Sequence, residues 1–365
     1  MNDDLRFMAA ALSFGRRGLG RTSSNPSVGA VVVRGGVVVG RGVTAEGGRP
    51  HAEPQALLEA GDAARGATLY VTLEPCSHFG ATPPCVEAIM EAGIARVVCA
   101  MEDPDARVQG RGVARLRRAG IDVVVGVGGA TARRDHVGHI TRATFGRPAV
   151  TLKLALTADG YAAGDAHDPR LAITGEAANL CTAAMRATHD AIMVGIGTVL
   201  ADDPLLTVRL PGCDARPLRV VIDSRLRLPL RSRLATTAQE FPTLVVTTPD
   251  AGADRESALI EAGIEVVRVE GDAFGRVDMF AATAYLAGRN LTRVFSEGGP
   301  RLGSHMLLEG LIDEVLIFTA LRPLGRRGTS GLTDAARECL HDSERYHVME
   351  GVKFGSDTLV RYLKA

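Results

Sequence analysis

Short runs of apolar and β-branched residues alternate along this chain with stretches whose apolar positions recur at helical spacing, and that alternation confines it to the α/β class. The exception comes early. VGAVVV (Val28 to Val33) and VVVG (Val37 to Gly40) flank Arg34-Gly35-Gly36, which predicts a hairpin. A helix with Leu5, Met8, Ala9 and Leu12 on one face precedes it, ended by Gly18 and Gly20, and PHAEPQALLEAG follows it as a helix stopped by Gly61. Strand, helix, strand, helix and strand are then expected at Ala67 to Leu73, Val86 to Gly93, Arg96 to Met101, Val113 to Arg118 and Ile121 to Val127. A hairpin followed by strand–helix alternation predicts a three-layer α/β/α sandwich.

At 365 residues the chain is long for one core, so two domains are expected. GVGGA (Gly126 to Ala130) reads as a loop, and a polar, glycine-containing join near Thr141 to Pro148 separates the halves. The second half restarts with the β-rich AVTLKLALTADG. Helices are expected at Glu176 to Thr188, Ala253 to Ala262, Met279 to Ala287 and Pro300 to Glu309. Strands are expected at Ala191 to Gly195, Leu218 to Asp223, Leu244 to Thr247, Ile264 to Val269, Val294 to Ser296, Val315 to Phe318 and Thr358 to Tyr362. This half is α/β too, with its own core.

Composition narrows function by exclusion. Basic and acidic residues balance at 42 each, which gives no electrostatic reason to expect nucleic acid or an anionic membrane as partner. Aromatics are 4% and tryptophan is absent, which argues against a stacking platform for single strands. The start, MNDDLRFMAA, is acidic where a secretory signal is basic, and no apolar run reaches a membrane span. Six cysteines in so long a chain do not make a disulfide framework, so a soluble cytoplasmic protein with reduced thiols is expected.

LEPCSHFGATPPC (Leu73 to Cys85) brackets a loop with two cysteines, and His51-Ala52-Glu53 lies upstream. The imidazole of His51 and the thiolates of Cys76 and Cys85 make a three-ligand zinc site with the fourth tetrahedral position left for water. Zinc lowers the pKa of that water toward 7. Glu53 need not be a ligand; beside the water it can take a proton and hand it to a leaving amine. Pro83-Pro84 places Cys85 in the first turn of a helix, whose dipole favours the thiolate. Zinc nucleobase deaminases carry His-x-Glu with a later Pro-Cys-x-x-Cys. Here eight residues, Ser77 to Pro84, intervene instead. The bland alternative is two unrelated buried thiols and a surface histidine.

With Asn25-Pro26-Ser27-Val28-Gly29 ahead of the first strand, these motifs resemble the deaminase half of the bifunctional riboflavin-biosynthesis deaminase–reductase family. The resemblance implies a cytidine-deaminase-like domain over 1–145 and zinc-hydroxide deamination at C2 of a diaminopyrimidinone ribosyl phosphate, with loss of ammonia. It also implies substrate contacts at Asn25, otherwise a turn residue, and at His78, otherwise a loop cap. Ala81 stands where the family usually has arginine or lysine, which leaves the substrate phosphate short of a cation unless another arginine substitutes. Cys99, Cys181, Cys213 and Cys339 read as small core residues.

No Gly-x-Gly-x-x-Gly follows the first strand of the second half. Gly195-Ile196-Gly197-Thr198 and Glu297-Gly298-Gly299-Pro300-Arg301-Leu302-Gly303 each follow a strand, and the latter opens a helix, where backbone can approach a pyrophosphate. Packing glycine explains such turns equally well. HDAIMVGIGTVLADDPLLTVR, LRVVIDSRLRLP and SEGGPRLG are, however, similar to the reductase half of the same family. That implies a dihydrofolate-reductase-like domain over 146–365 which uses NADPH to reduce the ribosyl group to ribityl. By position, the cofactor contacts are Ala155, Ala172, Thr198, Asp202, Ser224, Gly298, Gly299, Pro300, Arg301, Leu302 and Gly303. Arg170, Arg186, Leu206, Arg209 and Glu297 fall at substrate contacts, and Arg186 and Arg209 suit a phosphate. Asp202 is the acid/base candidate, with Asp203 beside it read as a turn carboxylate. Ala172 replaces a usual tryptophan and Tyr161 a usual basic residue. The resemblance further implies a homo-oligomer assembled through the reductase half. Two other readings stand beside this one: a zinc deaminase with a non-catalytic NADP-binding or oligomerisation module, and a nucleic-acid-editing deaminase, which the composition disfavours.

Overall fold

Gly35 and Gly36, at φ +55° and +78°, close the tight turn that returns β1 (Gly29–Arg34) as β2 (Val37–Val43). The computed structural model describes residues 3–80, 82–165, 168–169, 171–349 and 351–365. Ala81 and Arg170, singled out above, lie outside the described residues. The chain divides into two units, Met1–Arg147 and Pro148–Ala365.

In the first unit α1 (Asp3–Gly15) precedes the hairpin, and α2 (Ala52–Ala60), β3 (Thr68–Val71), α3 (Cys85–Glu91), β4 (Arg96–Cys99), α4 (Arg111–Arg118) and β5 (Asp122–Val125) follow. The sheet order is β2-β1-β3-β4-β5, antiparallel as far as β3 and parallel from there. Helices α1 and α5 (Gly129–Asp135) pack together; α2, α3 and α4 form another group, as a three-layer sandwich requires. The α2 helix lies so close on β2 that a Cβ at Gly42 would come within 2.1 Å of the Ala52 carbonyl oxygen. Only glycine admits that approach, which fixes the helix start. Val31, Val32, Leu69, Val97 and Val98 fill the core.

Two expectations are corrected here. GVGGA is a loop only as far as Gly128, at φ +74°, since α5 begins at Gly129. The join near Thr141 is also mostly helical: α6 (Val137–Phe145) runs through it and ends on Gly146, at φ +67°. The irregular link is therefore only about Gly146 to Pro148.

The second unit contains β6 (Ala149–Leu156), β7 (Tyr161–Ala163), α7 (Glu176–Arg186), β8 (Ala191–Gly195), α8 (Ile196–Asp202), β9 (Leu218–Ile222), α9 (Arg233–Thr236), β10 (Thr243–Thr247), α10 (Ala253–Glu261), β11 (Glu265–Arg268), α11 (Met279–Gly288) and β12 (Arg293–Ser296). It closes with α12 (Pro300–Leu308), β13 (Glu314–Thr319), β14 (Thr329–Ser330), α13 (Asp334–His341), β15 (Tyr346–Val348), β16 (Val352–Phe354) and β17 (Asp357–Lys364). One sheet runs β11-β10-β9-β8-β12-β6-β13-β17-β15, parallel through β13 and antiparallel beyond. Strands sandwiched between helices are apolar throughout, as in Ala191 to Val194, every one of which is buried. Among the described residues no helix is long and apolar enough to cross a membrane.

Candidate functional site

Because β1 is antiparallel to both β2 and β3, the segments before β1, after β2 and after β3 emerge at one edge of the first sheet. The loop after β4 joins them, since β4 is parallel to β3. Asn25, His51, Cys76 and His78 sit on these segments, and Cys85 opens α3.

His51 is the N-cap of α2 and Cys85 follows the N-cap Pro84 of α3. The Cys85 backbone N–H donates to Cys76 Sγ at 3.3 Å. Nδ1 of His51 lies 3.4 Å from Cys85 Sγ and 3.8 Å from Cys76 Sγ, and the three donor atoms fall within 4.8 Å of one another. All six cysteines are free, so no disulfide explains the pair. A tetrahedral zinc with bonds of about 2.3 Å to sulfur and about 2.0 Å to nitrogen holds such atoms roughly 3.6 Å apart, and the donor set fits it. As bare thiols the two compete. Hydrogen bonding from Cys85, then from His51, draws Cys76 down to about 4, while the Cys76 sulfur pushes Cys85 up. A divalent cation between the sulfurs removes that conflict.

Glu53, 3% exposed, stands in the first turn of α2. Burial, then the negative Cys76, raises its carboxyl to about 7, within reach of proton exchange at neutral pH. Asn25 stands in a turn, as one of the two readings made of it expected. Its backbone makes a turn with Thr22, whose hydroxyl donates to the Asn25 carbonyl at 2.7 Å. Its amide lies on the segment leading to His51, since a Cβ at Gly48 would come 2.3 Å from Nδ2. His78 is half-buried, with Nδ1 buried and without a hydrogen-bond partner among the described residues, a nitrogen that a ligand or water would satisfy.

Sequence reasoning passed over Glu74. It is buried and accepts from the backbone N–H groups of Gly110 at 2.9 Å, Val113 at 3.1 Å and Asp103 at 3.2 Å. It thereby ties the loop after β4 to the cysteine loop, and Asp103 in turn pairs with His139 at 2.7 Å. A glutamate directly before Pro75-Cys76 was the available signal.

In the second unit the parallel strands bring the carboxyl ends of β6, β8, β9 and β12 to one edge, where open α/β sheets bind ligands. Gly195, Ser224 and Glu297 stand at three of those ends. Ala155 lies near the end of β6 opposite Phe318. The Gly299 N–H donates to Thr198 Oγ1 at 3.0 Å, so the two glycine turns touch. Gly303 packs on β6, where a Cβ would come 3.1 Å from Leu152 Cδ1. Gly298 lies under Leu302, while Pro300 and the exposed Arg301 open α12. Ser224 Oγ accepts from the Val277 N–H at 3.0 Å.

Arg186, at the end of α7, forks onto Glu297, with Nε to Oε1 at 2.5 Å and Nη2 to Oε2 at 2.8 Å, and Nη1 donates to the Thr207 carbonyl at 3.0 Å. Its guanidinium therefore faces Glu297 rather than standing open for a phosphate, whereas Arg209 is exposed. Burial pushes Glu297 up, but Arg186, with Lys153 and Arg209 behind it, holds the carboxyl below its usual range. Lys153 had no place in the sequence reading. It follows Leu152, which pairs with Ser296 in the parallel register, and so falls beside Glu297.

Leu206 is buried with φ +51°, a left-handed backbone that leucine rarely adopts. Arg219 stabilises that turn from the other side. It is wholly buried and donates to Leu205 O at 3.2 Å, Thr237 Oγ1 at 2.8 Å, Leu234 O at 3.1 Å, Phe241 O at 2.8 Å and Thr243 Oγ1 at 2.6 Å. Asp203 accepts from the Arg233 N–H at 2.8 Å at the start of α9, which leaves Asp202, exposed at the end of α8, as the open carboxylate. Ala172 is exposed before α7, and nothing among the described residues ties it to the strand ends.

Comparison with known proteins finds one family model in each unit. Residues 1–101 match the cytidine and deoxycytidylate deaminase zinc-binding region, and residues 148–352 match the RibD C-terminal domain. The riboflavin biosynthesis protein RibD of Aquifex aeolicus is 38% identical across 98% of this chain and 97% of its own. RibD of Escherichia coli is 35% identical across 99% and 100%. Among solved structures, Acinetobacter baumannii RibD superposes with a TM-score of 0.84 at 33% identity, covering 100% of this chain and 99% of that one. A Thermotoga maritima diaminohydroxyphosphoribosylaminopyrimidine deaminase/5-amino-6-(5-phosphoribosylamino)uracil reductase does so with 0.84 at 32% identity, with the same coverage.

Proposed function

This chain belongs to the RibD family of riboflavin biosynthesis, and on that premise we propose how its own residues divide the work. It is a bifunctional enzyme, a cytidine-deaminase-like zinc deaminase followed by a dihydrofolate-reductase-like NADPH reductase. It deaminates a diaminopyrimidinone ribosyl phosphate and then reduces the ribosyl group to ribityl.

Zinc held by His51, Cys76 and Cys85 supplies the Lewis acidity that makes water a nucleophile near neutral pH. Glu53 takes the proton from the attacking water and returns it to the amino group leaving C2, so that ammonia departs neutral. Asn25 and His78 hold the pyrimidine edge. The proximity of the three ligand donors to one another, around a buried Glu53, is the observation that carries this reading.

In the second unit NADPH supplies the hydride. Thr198, Ser224 and the run Gly298 to Gly303 cradle the cofactor, with Ala155 along it. Arg186 aims Glu297 at the substrate, Lys153 and Arg209 offer charge to its phosphate, Leu206 walls the site, and Asp202 handles the proton at the sugar. A groove lined by Met185, Met349, Val352, Phe354 and Leu359 leaves apolar surface open on this unit and supports a homo-oligomer built through it. Six unpaired thiols suit the cytoplasm.

The test is to give zinc-loaded protein the diaminopyrimidinone nucleotide with NADPH and follow ammonia and NADPH together. Ammonia release followed by NADPH consumption is expected, with both absent in Cys85→Ser. Consumption of NADPH by Cys85→Ser from the diamino compound would overturn the assigned order and the ligand.

A further inference from the structure

The nucleotide deaminated in the first unit carries a phosphomonoester, yet the loop Cys76 to Cys85 that rims the zinc ligands contains no arginine or lysine. A half-buried cation reaches that loop from outside it. Arg49 stands two residues before His51, on the same segment between β2 and α2. Its Nη1 donates to Thr82 Oγ1, and its Nη2 lies 3.3 Å from where a Cβ on Gly80 would sit. The guanidinium thus lies across the loop tip, touching residues on either side of position 81. Two other arginines of this unit are neutralised locally: Arg41 pairs with Glu59 at 3.0 Å and Arg107 with Asp105 at 2.6 Å. Arg49 forms no ion pair among the described residues, and the Thr82 bond uses one of five N–H donors. A planar fork anchored at one corner, beside a metal centre and short of an anion, suits a phosphate oxygen pair.

We infer that Arg49 binds the substrate phosphate at the deaminase centre, an inference that rests on the deaminase reading. Arg49 then selects nucleotides over ribosides, and the loop needs no cation of its own. Position 81 can be alanine because charge arrives from the segment that carries His51.

The experiment measures ammonia release without NADPH, by zinc-loaded full-length protein, from the diaminopyrimidinone nucleotide and from its dephosphorylated riboside. In Arg49→Gln the ratio of the two kcat/KM values should fall about 30-fold, mainly through KM of the nucleotide, and Arg49→Lys should recover part of it. Ribose 5-phosphate should inhibit the wild type more than Arg49→Gln. Zinc content, measured in each variant, reports whether the loop has stayed intact. An unchanged ratio, or equal losses on both compounds, would overturn the assignment. Absence of ammonia from either compound with the zinc-loaded wild type would instead sink the deaminase reading beneath it.

Discussion

Glu297 lies in the fork of Arg186, a residue 111 positions earlier in the chain, so a carboxylate at the end of β12 is aimed by the last turn of α7. Both side chains are mostly buried, at 12% and 15% exposed, so the pair tolerates the loss of neither partner. Arg186→Lys keeps the charge but loses the two-point grip. It should lower kcat/KM for NADPH-dependent reduction by about 10-fold or more, with ammonia release unaffected. Steady-state assays of the two half-reactions on one preparation check this; equal losses in both would point to general misfolding instead.

The three proposed zinc ligands come from three separate segments, so losing one should abolish metal retention and deamination together. Cys85→Ser is expected to hold less than a tenth of the zinc of the wild type after dialysis, while still reducing the deaminated nucleotide with NADPH. Metal analysis with the reductase half-assay decides it. Full zinc with normal ammonia release would remove Cys85 from the ligand set.

Thr198 receives the Gly299 N–H and so couples the two glycine turns of the proposed cofactor site. Thr198→Val deletes that acceptor at nearly constant volume. A hydrogen bond of about 1 kcal/mol translates to about a fivefold rise in KM for NADPH. An unaltered KM would show that the contact only packs the turn.

His189 gives the second unit a pH dependence of its own. Burial first, then the charge of Arg293, pushes its imidazole down to about 3, and its Nδ1 lies 2.7 Å from the Met185 carbonyl. Below about 6.5 the unfolded chain binds a proton that the folded chain refuses. The unfolded state thus binds more protons, and stability falls as pH drops from about 6.5 toward 3; it is fully present above that window. Urea unfolding between pH 7 and pH 4 should show the wild type losing at most about 3 kcal/mol more than His189→Gln. Parallel curves for the two proteins would count against a buried neutral His189.

The grouping of His51, Cys76 and Cys85 was largely readable from residue order, because His51 and Cys85 sit at helix starts that proline announces and Cys76 lies in the loop between them. The hairpin was readable for a similar local reason, two glycines at positive φ. Helices α5 and α6 escaped notice because Val137 and Ile140 are almost the only large apolar residues in them, and their glycines mimic a linker. In the second unit the chemistry depends on register. Lys153 looks like an interruption in an apolar strand until β12 is laid beside β6. Asp203, read as a turn carboxylate, shows its actual partner only once α9 is in place, since it accepts from the Arg233 N–H. The short strands β14, β15 and β16 leave no period to detect, since none exceeds three residues.

The left-handed turn at Leu206 is pinned from two directions by unlike means. On one side, Arg186 holds the Thr207 carbonyl while forked onto an anion, and because both partners are mostly buried dissolved salt screens that pair only weakly. On the other, Arg219 holds the Leu205 carbonyl, and every hydrogen-bond acceptor of that buried cation is uncharged. Counterions cannot compete for an arginine they cannot reach. The turn at Leu206 should therefore keep its shape as ionic strength rises, since neither of its anchors is open to counterions.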